Sequence, residues 1–189
     1  MNVIAEMKHV PAIFLLALLS GCAPIPPAIS HRTFKPPAVT EDGISVYFSP
    51  HGGALAAILH EIDHARISVD LQAYLITSTE IVDSLKSAQA RGVRVRIILD
   101  KHNIGGIYSA HAYLANSGLL VWRDGRHKDA HDKVILIDGQ TLITGSFNFT
   151  DQSEDTNAEN LLIIRDKPEL YAAYLKNFEF HLGHSDPPR

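Results

Sequence analysis

Apolar positions along this chain follow two different periods. Short runs rich in Val, Ile and Leu alternate with stretches whose apolar residues recur every three or four positions, the periods of strand and amphipathic helix. The runs predict strands at 44–48, 67–76, 93–99, 119–122, 131–137, 141–147 and 161–164, with 93–99 continuous enough to be covered on both faces. Leu55, Ile58, Leu59 and Ile62 make one helical stripe after a Ser49-Pro50-His51-Gly52-Gly53 turn. Ile81, Leu85 and Ala88 make another, capped by Thr77 or Ser78 and closed at Gly92. Pro168 opens a final helix carrying Leu170, Tyr174 and Phe178, which stops near Gly183. Segment 101–118 is looser, with Gly105-Gly106 and a helix expected over 107–116. Strand–helix alternation of this kind predicts an α/β fold, one domain per chain, with a sheet sandwiched between helices. The Asp138-Gly139 turn between two late strands makes a hairpin, so the sheet is expected to be mixed. No internal repeat is present.

The front of the chain reads differently. Residues 10–19, VPAIFLLALL, are too short to span a bilayer but fit the apolar region of a signal peptide. The run ends in Leu19-Ser20-Gly21-Cys22, which resembles the lipobox of bacterial lipoproteins. That resemblance implies a signal peptide over 1–21, an acylated Cys22, and a lipid anchor in a bacterial cell envelope rather than a spanning helix. An ordinary secreted or periplasmic protein cleaved near Ala23 is the alternative. Residues 22–40 hold five prolines (Pro24, Pro26, Pro27, Pro36, Pro37) and are expected to be a semi-rigid linker. A folded domain over 41–183 and a short tail over 184–189 complete the division, with His181 and His184 expected to be solvated.

With 17 Lys plus Arg against 21 Asp plus Glu, the net charge is −4. A basic nucleic-acid coat is therefore excluded, and an anionic substrate needs a local concentration of positive charge. The single cysteine excludes a disulfide framework and a Cys-rich metal cluster.

Candidate chemistry is concentrated late in the chain. In extended strands His131 and Lys133 share one face, and Ser146 and Asn148 share another. If those strands adjoin, an imidazole, an ammonium, a hydroxyl and an amide surround one small volume, which is an anion site containing a nucleophile. Cysteines and clustered carboxylates of a metal centre are lacking there, so no metal is expected at it. His60-Glu61-Ile62-Asp63-His64 matches the zinc-protease pattern H-E-x-x-H. Both histidines fall opposite the apolar stripe of their helix, and no third ligand follows, so that reading is set aside.

His131-x-Lys133-x4-Asp138-x6-Gly145-Ser146-x-Asn148 resembles the HKD signature of the phospholipase D superfamily. Six specified residues at roughly 5% frequency each would match a given start by chance on the order of 10⁻⁸ of the time. The strings Phe48-Ser49-Pro50 with Gly52-Gly53, residues 90–96, Gly145-Ser146-Phe147-Asn148-Phe149-Thr150 and Glu159-Asn160 extend the likeness to the small, single-signature Nuc-type endonucleases of that superfamily. What the resemblance implies is metal-free phosphodiester hydrolysis, without a cofactor, through a covalent phosphohistidine. His131 would be the nucleophile, Lys133 and Asn148 would hold phosphate oxygens, and Ser146 would add a hydrogen bond. Glu159 would orient His131, while Asp138 looks more structural. Because the chemistry needs two histidines and the signature occurs once, the resemblance implies an obligate homodimer. Nucleic acid is the expected substrate and phospholipid the runner-up. A catalytically silent envelope protein that binds polyanions or another protein is the reading of a different class.

Two basic stretches were open to more than one reading. Arg94 and Arg96 alternate with valines and fit solvated strand positions. Arg123, Arg126 and Lys128 immediately precede His131 and are expected either to contact substrate phosphates or to form a plain charged loop.

Overall fold

The computed structural model describes residues 35–103, 114 and 116–188. The expected signal peptide over 1–21, Cys22 and most of the helix expected over 107–116 lie outside the described residues.

Eight strands form one mixed sheet in the order β1-β2-β8-β7-β6-β3-β4-β5. They are β1 (Val39–Glu41), β2 (Ile44–Phe48), β3 (Ser68–Ala73), β4 (Arg94–Asp100), β5 (Val121–Asp124), β6 (Lys133–Ile137), β7 (Thr141–Gly145) and β8 (Asn160–Arg165). The neighbours β3, β4 and β5 run parallel, and every other pairing is antiparallel. Helices among the described residues include α1 (Ala54–His64), α2 (Thr79–Ala90), a short α3 (Asp151–Asp155) and α4 (Pro168–Leu182). The α/β class, the mixed sheet and the helices on both faces agree with the sequence pattern.

Strand alternation decides which helix covers which face. Ile135 and Ile137 of β6, with Ile97 and Leu99 of β4, pack on the side of α1 and α2, whose stripes of Leu55, Ile58, Ile62, Ile81 and Leu85 are fully buried. Val134, Leu136, Ile98 and Leu142 face the other way, against Tyr171 and Phe178 of α4. Helix α1 also borrows a cap from far along the chain. The buried Glu154 accepts hydrogen bonds from the Gly53 and Leu55 amides at 2.8 and 2.9 Å, putting negative charge on free donors at a helix N-terminus.

The structure departs from the sequence expectations in several places. Residues 38–40, expected in the linker, already belong to the sheet, since Ala38 N–H donates to Val46 O at 2.8 Å and β1 pairs with β2. Arg94 and Arg96 are not simply solvated. Both reach the buried Asp70, Arg96 through two bonds of 2.7 and 2.8 Å, and Arg96 also holds Glu179 of α4 at 2.7 Å. Alternation put these arginines on an outer face, but that face is where α4 lies. His181 and His184 are not solvated either: their side chains are 10% and 9% exposed and both bond Asp124. The chain after α4 folds back to pair Asp186 with Arg123, backbone to backbone, at 2.9 Å in each direction. His60 and His64 do fall on the exposed side of α1, with rings 4.2 Å apart.

Asp138 sits in the β6–β7 turn, its carboxylate accepting three backbone N–H bonds of 2.8 Å from Arg66, Ile67 and Ser68. It thereby fastens the entry of β3 to the hairpin. Asp138→Ala is expected to cost about 1–3 kcal/mol of stability, measurable by urea denaturation, with the heteronuclear spectrum of the His131 ring unchanged.

Candidate functional site

The chemically useful side chains collect at one edge of the sheet, where β6 and β8 begin and β2, β3 and β7 end. Lys133 is paired in register with Ala73, and Gly145 with Leu161. Beyond these last pairs the chain is laced together by single bonds. Tyr74 N–H donates to Asp132 O at 2.9 Å, Gln72 Nε2 to Asp132 Oδ2 at 3.1 Å, and Ser146 N–H to Asn160 O at 3.1 Å. Phe149 N–H donates to Leu75 O at 3.1 Å, and Thr77 N–H to Phe149 O at 3.0 Å. His131, Ser146 and Asn148 therefore stand just past strand ends rather than within strands. Gly145 permits the close approach of β7 and β8, because a Cβ there would lie 2.3 Å from the Asn160 carbonyl oxygen.

Lys133 links the parts of the site. Its ammonium lies 3.0 Å from His131 Nδ1 and donates to the His131 carbonyl at 2.7 Å. It also sits 5.2 Å from the centre of the Tyr74 ring, which in turn lies 4.4 Å from the imidazole. Burial pushes the Lys133 pKa below the ordinary lysine value, while the charges of Asp132 and Glu159 pull it back up. With the ammonium donating to Nδ1, neutral His131 carries its proton on Nε2. The imidazole is itself exposed.

A second group of side chains adjoins the first. Ser146 Oγ donates to Glu159 Oε2 at 2.5 Å, and Asn157 Nδ2 donates to Glu159 Oε1 at 3.1 Å. Ser146 Oγ accepts from the Asn160 backbone and side-chain amides at 3.1 and 3.3 Å. Asn148 is half-buried, and its Oδ1 is buried without a hydrogen-bond partner. Ser49 Oγ accepts from Glu159 N–H and donates to Asn157 O, each at 3.0 Å.

The structure thus brings His131 to Lys133, and Ser146 to Glu159. The expected bond from Glu159 to His131 is not among those formed: Glu159 is held by Ser146 and Asn157, and Nδ1 faces Lys133. Asp138 lies at the opposite end of β6, roughly 17 Å along the strand from Lys133. Arg123 is committed to Asp186, with its Nε 2.9 Å from the carboxylate. Arg126 and Lys128 are exposed on the segment that leads to His131. Sequence reasoning assigned no role to Tyr74, Ser49 or Asn157. Tyr74 lies within the expected strand 67–76 and carries no polar pattern, whereas Asp132, inside the signature, was a visible anchor that went unused.

Among the described residues, the one set that brings three or more metal-ligand types together is not here. It is Asp124, His127, His181 and His184, at the β5 end of the same edge. No helix among the described residues is long and apolar enough to cross a membrane.

Residues 58–182 match the family described as cardiolipin synthase, PLD-like domain. A phospholipase D of Rickettsia conorii is 38% identical over 151 residues, covering 80% of this chain and 75% of the relative. The crystal structure of Nuc from Salmonella typhimurium, a phospholipase D family member, superposes with a TM-score of 0.72 at 36% identity, over 77% of this chain and 97% of that one. NucT from Helicobacter pylori gives a TM-score of 0.70 at 25% identity, over 76% and 98%.

A titration of Lys133, followed through its Cε signal by NMR, is expected to show a midpoint below the roughly 10.4 of free lysine. The charge that partners His131 is then lost as pH rises through that lowered value. A midpoint at or above the free value would mean that Asp132 and Glu159 outweigh burial.

Proposed function

The chain belongs to the phospholipase D-like family of phosphodiester hydrolases, and on that premise we propose that it is an endonuclease cleaving DNA, and RNA as well, through a covalent phosphohistidine. The reaction in this reading needs no metal, and its active site is shared across a homodimer. The observation that carries it is the exposed His131 imidazole with a buried ammonium 3.0 Å from its Nδ1, next to the Ser146–Glu159 pair.

Nucleophilic attack by Nε2 requires the proton to move to Nδ1. An incoming phosphate supplies the cause: its non-bridging oxygens draw the Lys133 ammonium away from Nδ1, and Glu159, whose charge already acts on Lys133, becomes the acceptor for Nδ1–H. Nε2 then bonds phosphorus as the P–O bond to the leaving oxygen breaks. The partner subunit's His131 donates its proton to that oxygen. Water next attacks phosphorus, the same partner imidazole takes the water's proton, and the P–N bond breaks to restore His131. Lys133, Asn148 and Ser146 stabilise the charge built up on phosphorus oxygens. Asn148 would do so through its Nδ2 donor, since Oδ1 only accepts. Asp138 acts on this site only by holding the β6–β7 hairpin.

A two-histidine mechanism on a chain with one signature calls for a second copy. Phe48, 55% exposed and paired in register with Asn160 at the site's edge, offers apolar surface for it. Arg126 and Lys128 are the cations free to meet neighbouring phosphates, whereas Arg123 would have to leave Asp186. The same chemistry suits a phospholipid, and the Rickettsia relative's name favours that second reading. The signal peptide over 1–21, acylation of Cys22 and the linker that follows complete the proposal, placing the domain beside a membrane.

Turnover of single- and double-stranded DNA, RNA, phosphatidylcholine and cardiolipin, assayed in parallel in EDTA, separates these readings. Nucleic acid is expected to be cleaved in EDTA, and His131→Ala to lower the rate by at least about 10³-fold. Loss in EDTA with recovery in magnesium would overturn the metal-free mechanism, and turnover of lipid alone would select the second reading.

Sharing of the site is tested by refolding wild type with an equal amount of His131→Ala. Roughly a quarter of the dimers then carry two histidines, so wild-type turnover falls by about half. Unchanged turnover would show that each chain works alone.

A further inference from the structure

A second cluster on this sheet edge takes no part in the reaction above. Asp124 ends β5 and is fully buried; His127 lies in the turn that follows; His181 and His184 come from the C-terminal end of α4 and the residues just after it. His181 Nδ1, His127 Nδ1 and His184 Nε2 approach one carboxylate oxygen, Asp124 Oδ2, at 2.7, 3.0 and 3.2 Å. All four ligand atoms lie within 4.8 Å of one another.

Hydrogen bonding alone accounts poorly for this arrangement. A carboxylate oxygen offers two lone pairs, and here three imidazole nitrogens surround it. His184 Nδ1 is also buried with no partner, so that ring is not held by the two-sided bonding expected of a buried histidine. Three imidazoles and one carboxylate are a donor set for a borderline cation of tetrahedral habit. Ligand atoms bound at about 2.0–2.1 Å around zinc stand about 3.3 Å apart; the three nitrogens stand 2.7–3.2 Å from Asp124 Oδ2, and no pair of ligand atoms is more than 4.8 Å apart. Four protein ligands leave no open position, which is the form of a structural site and not of a catalytic one.

We infer that Asp124, His127, His181 and His184 bind a structural zinc ion that ties the end of α4 to the loop leading to His131. The chain is already arranged for that link. Arg126 N–H closes the turn on Asp124 Oδ1 at 3.0 Å, Lys101 Nζ holds the His127 carbonyl at 2.5 Å, and Ala130 N–H donates to Asp100 Oδ2 at 2.6 Å. The Asp186–Arg123 pairing brings the C-terminal segment against the same strand. Because Asp100 and Lys101 hold the loop by themselves, loss of the ion reads out in the unfolding midpoint and not in turnover. The inference is independent of which phosphodiester is cleaved.

Tag-free full-length protein, stripped with EDTA and titrated with zinc sulfate by calorimetry, is expected to bind one zinc per chain at micromolar or tighter affinity. Its unfolding midpoint should rise by several degrees, and cobalt(II) in place of zinc should give the intense visible absorption of a four-coordinate site. His127→Ala, at a half-exposed position that tolerates the change, and His184→Ala should each weaken binding by more than the roughly 10–100-fold that an outer-shell partner costs. His64→Ala, in the exposed pair on α1, should leave it unchanged. Absence of stoichiometric binding, binding that survives the combined His127 and His184 replacement, or binding that depends on His64 would each overturn the inference.

Discussion

Antiparallel pairing of β6 with β3 places Lys133 opposite Ala73, and that register governs the whole reactive edge. It ends the ladder one residue after His131-Asp132, where Tyr74 and Gln72 take over the Asp132 carbonyl and carboxylate. The imidazole is thereby left beyond the last ladder pair while its backbone stays fixed. A slip of one residue would turn Lys133 to the α4 face, where Val134 and Leu136 now pack, and would drive those two side chains into the opposite, already filled core. Core packing and the position of the ammonium are thus one constraint.

Electrostatics at this edge works against the chain's overall sign. The chain carries a net charge of −4, yet the cation beside His131 is a lysine mostly withdrawn from water. Desolvation weakens that charge, and the neighbouring Asp132 and Glu159 restore part of it. Among the described residues, the hydrogen bonds of this ammonium run to the His131 ring and carbonyl and not to a carboxylate.

Strand positions and helix faces were readable because the apolar periods of β4, β6 and α1 are long and regular. The candidate site residues stood out for another reason, their spacing around one hairpin. Contacts between elements distant in sequence were not legible. Glu154 capping α1, Arg96 reaching Asp70 and Glu179, and Asp124 gathering three histidines all depend on where α3 and α4 come to rest. Alternation gave Arg96 an outward face, but it says nothing of which helix covers that face. His181 and His184 looked like tail residues because the return of the chain to Arg123 has no local signal.

The segment between β5 and β6 runs along the reactive edge carrying Arg126 and Lys128, and it is moored to β4 through Asp100 and Lys101 before it reaches His131. Any pull on those two side chains is therefore carried to the neighbouring strand first. The backbone leading into the imidazole is braced upstream, by bonds in which the ring itself takes no part.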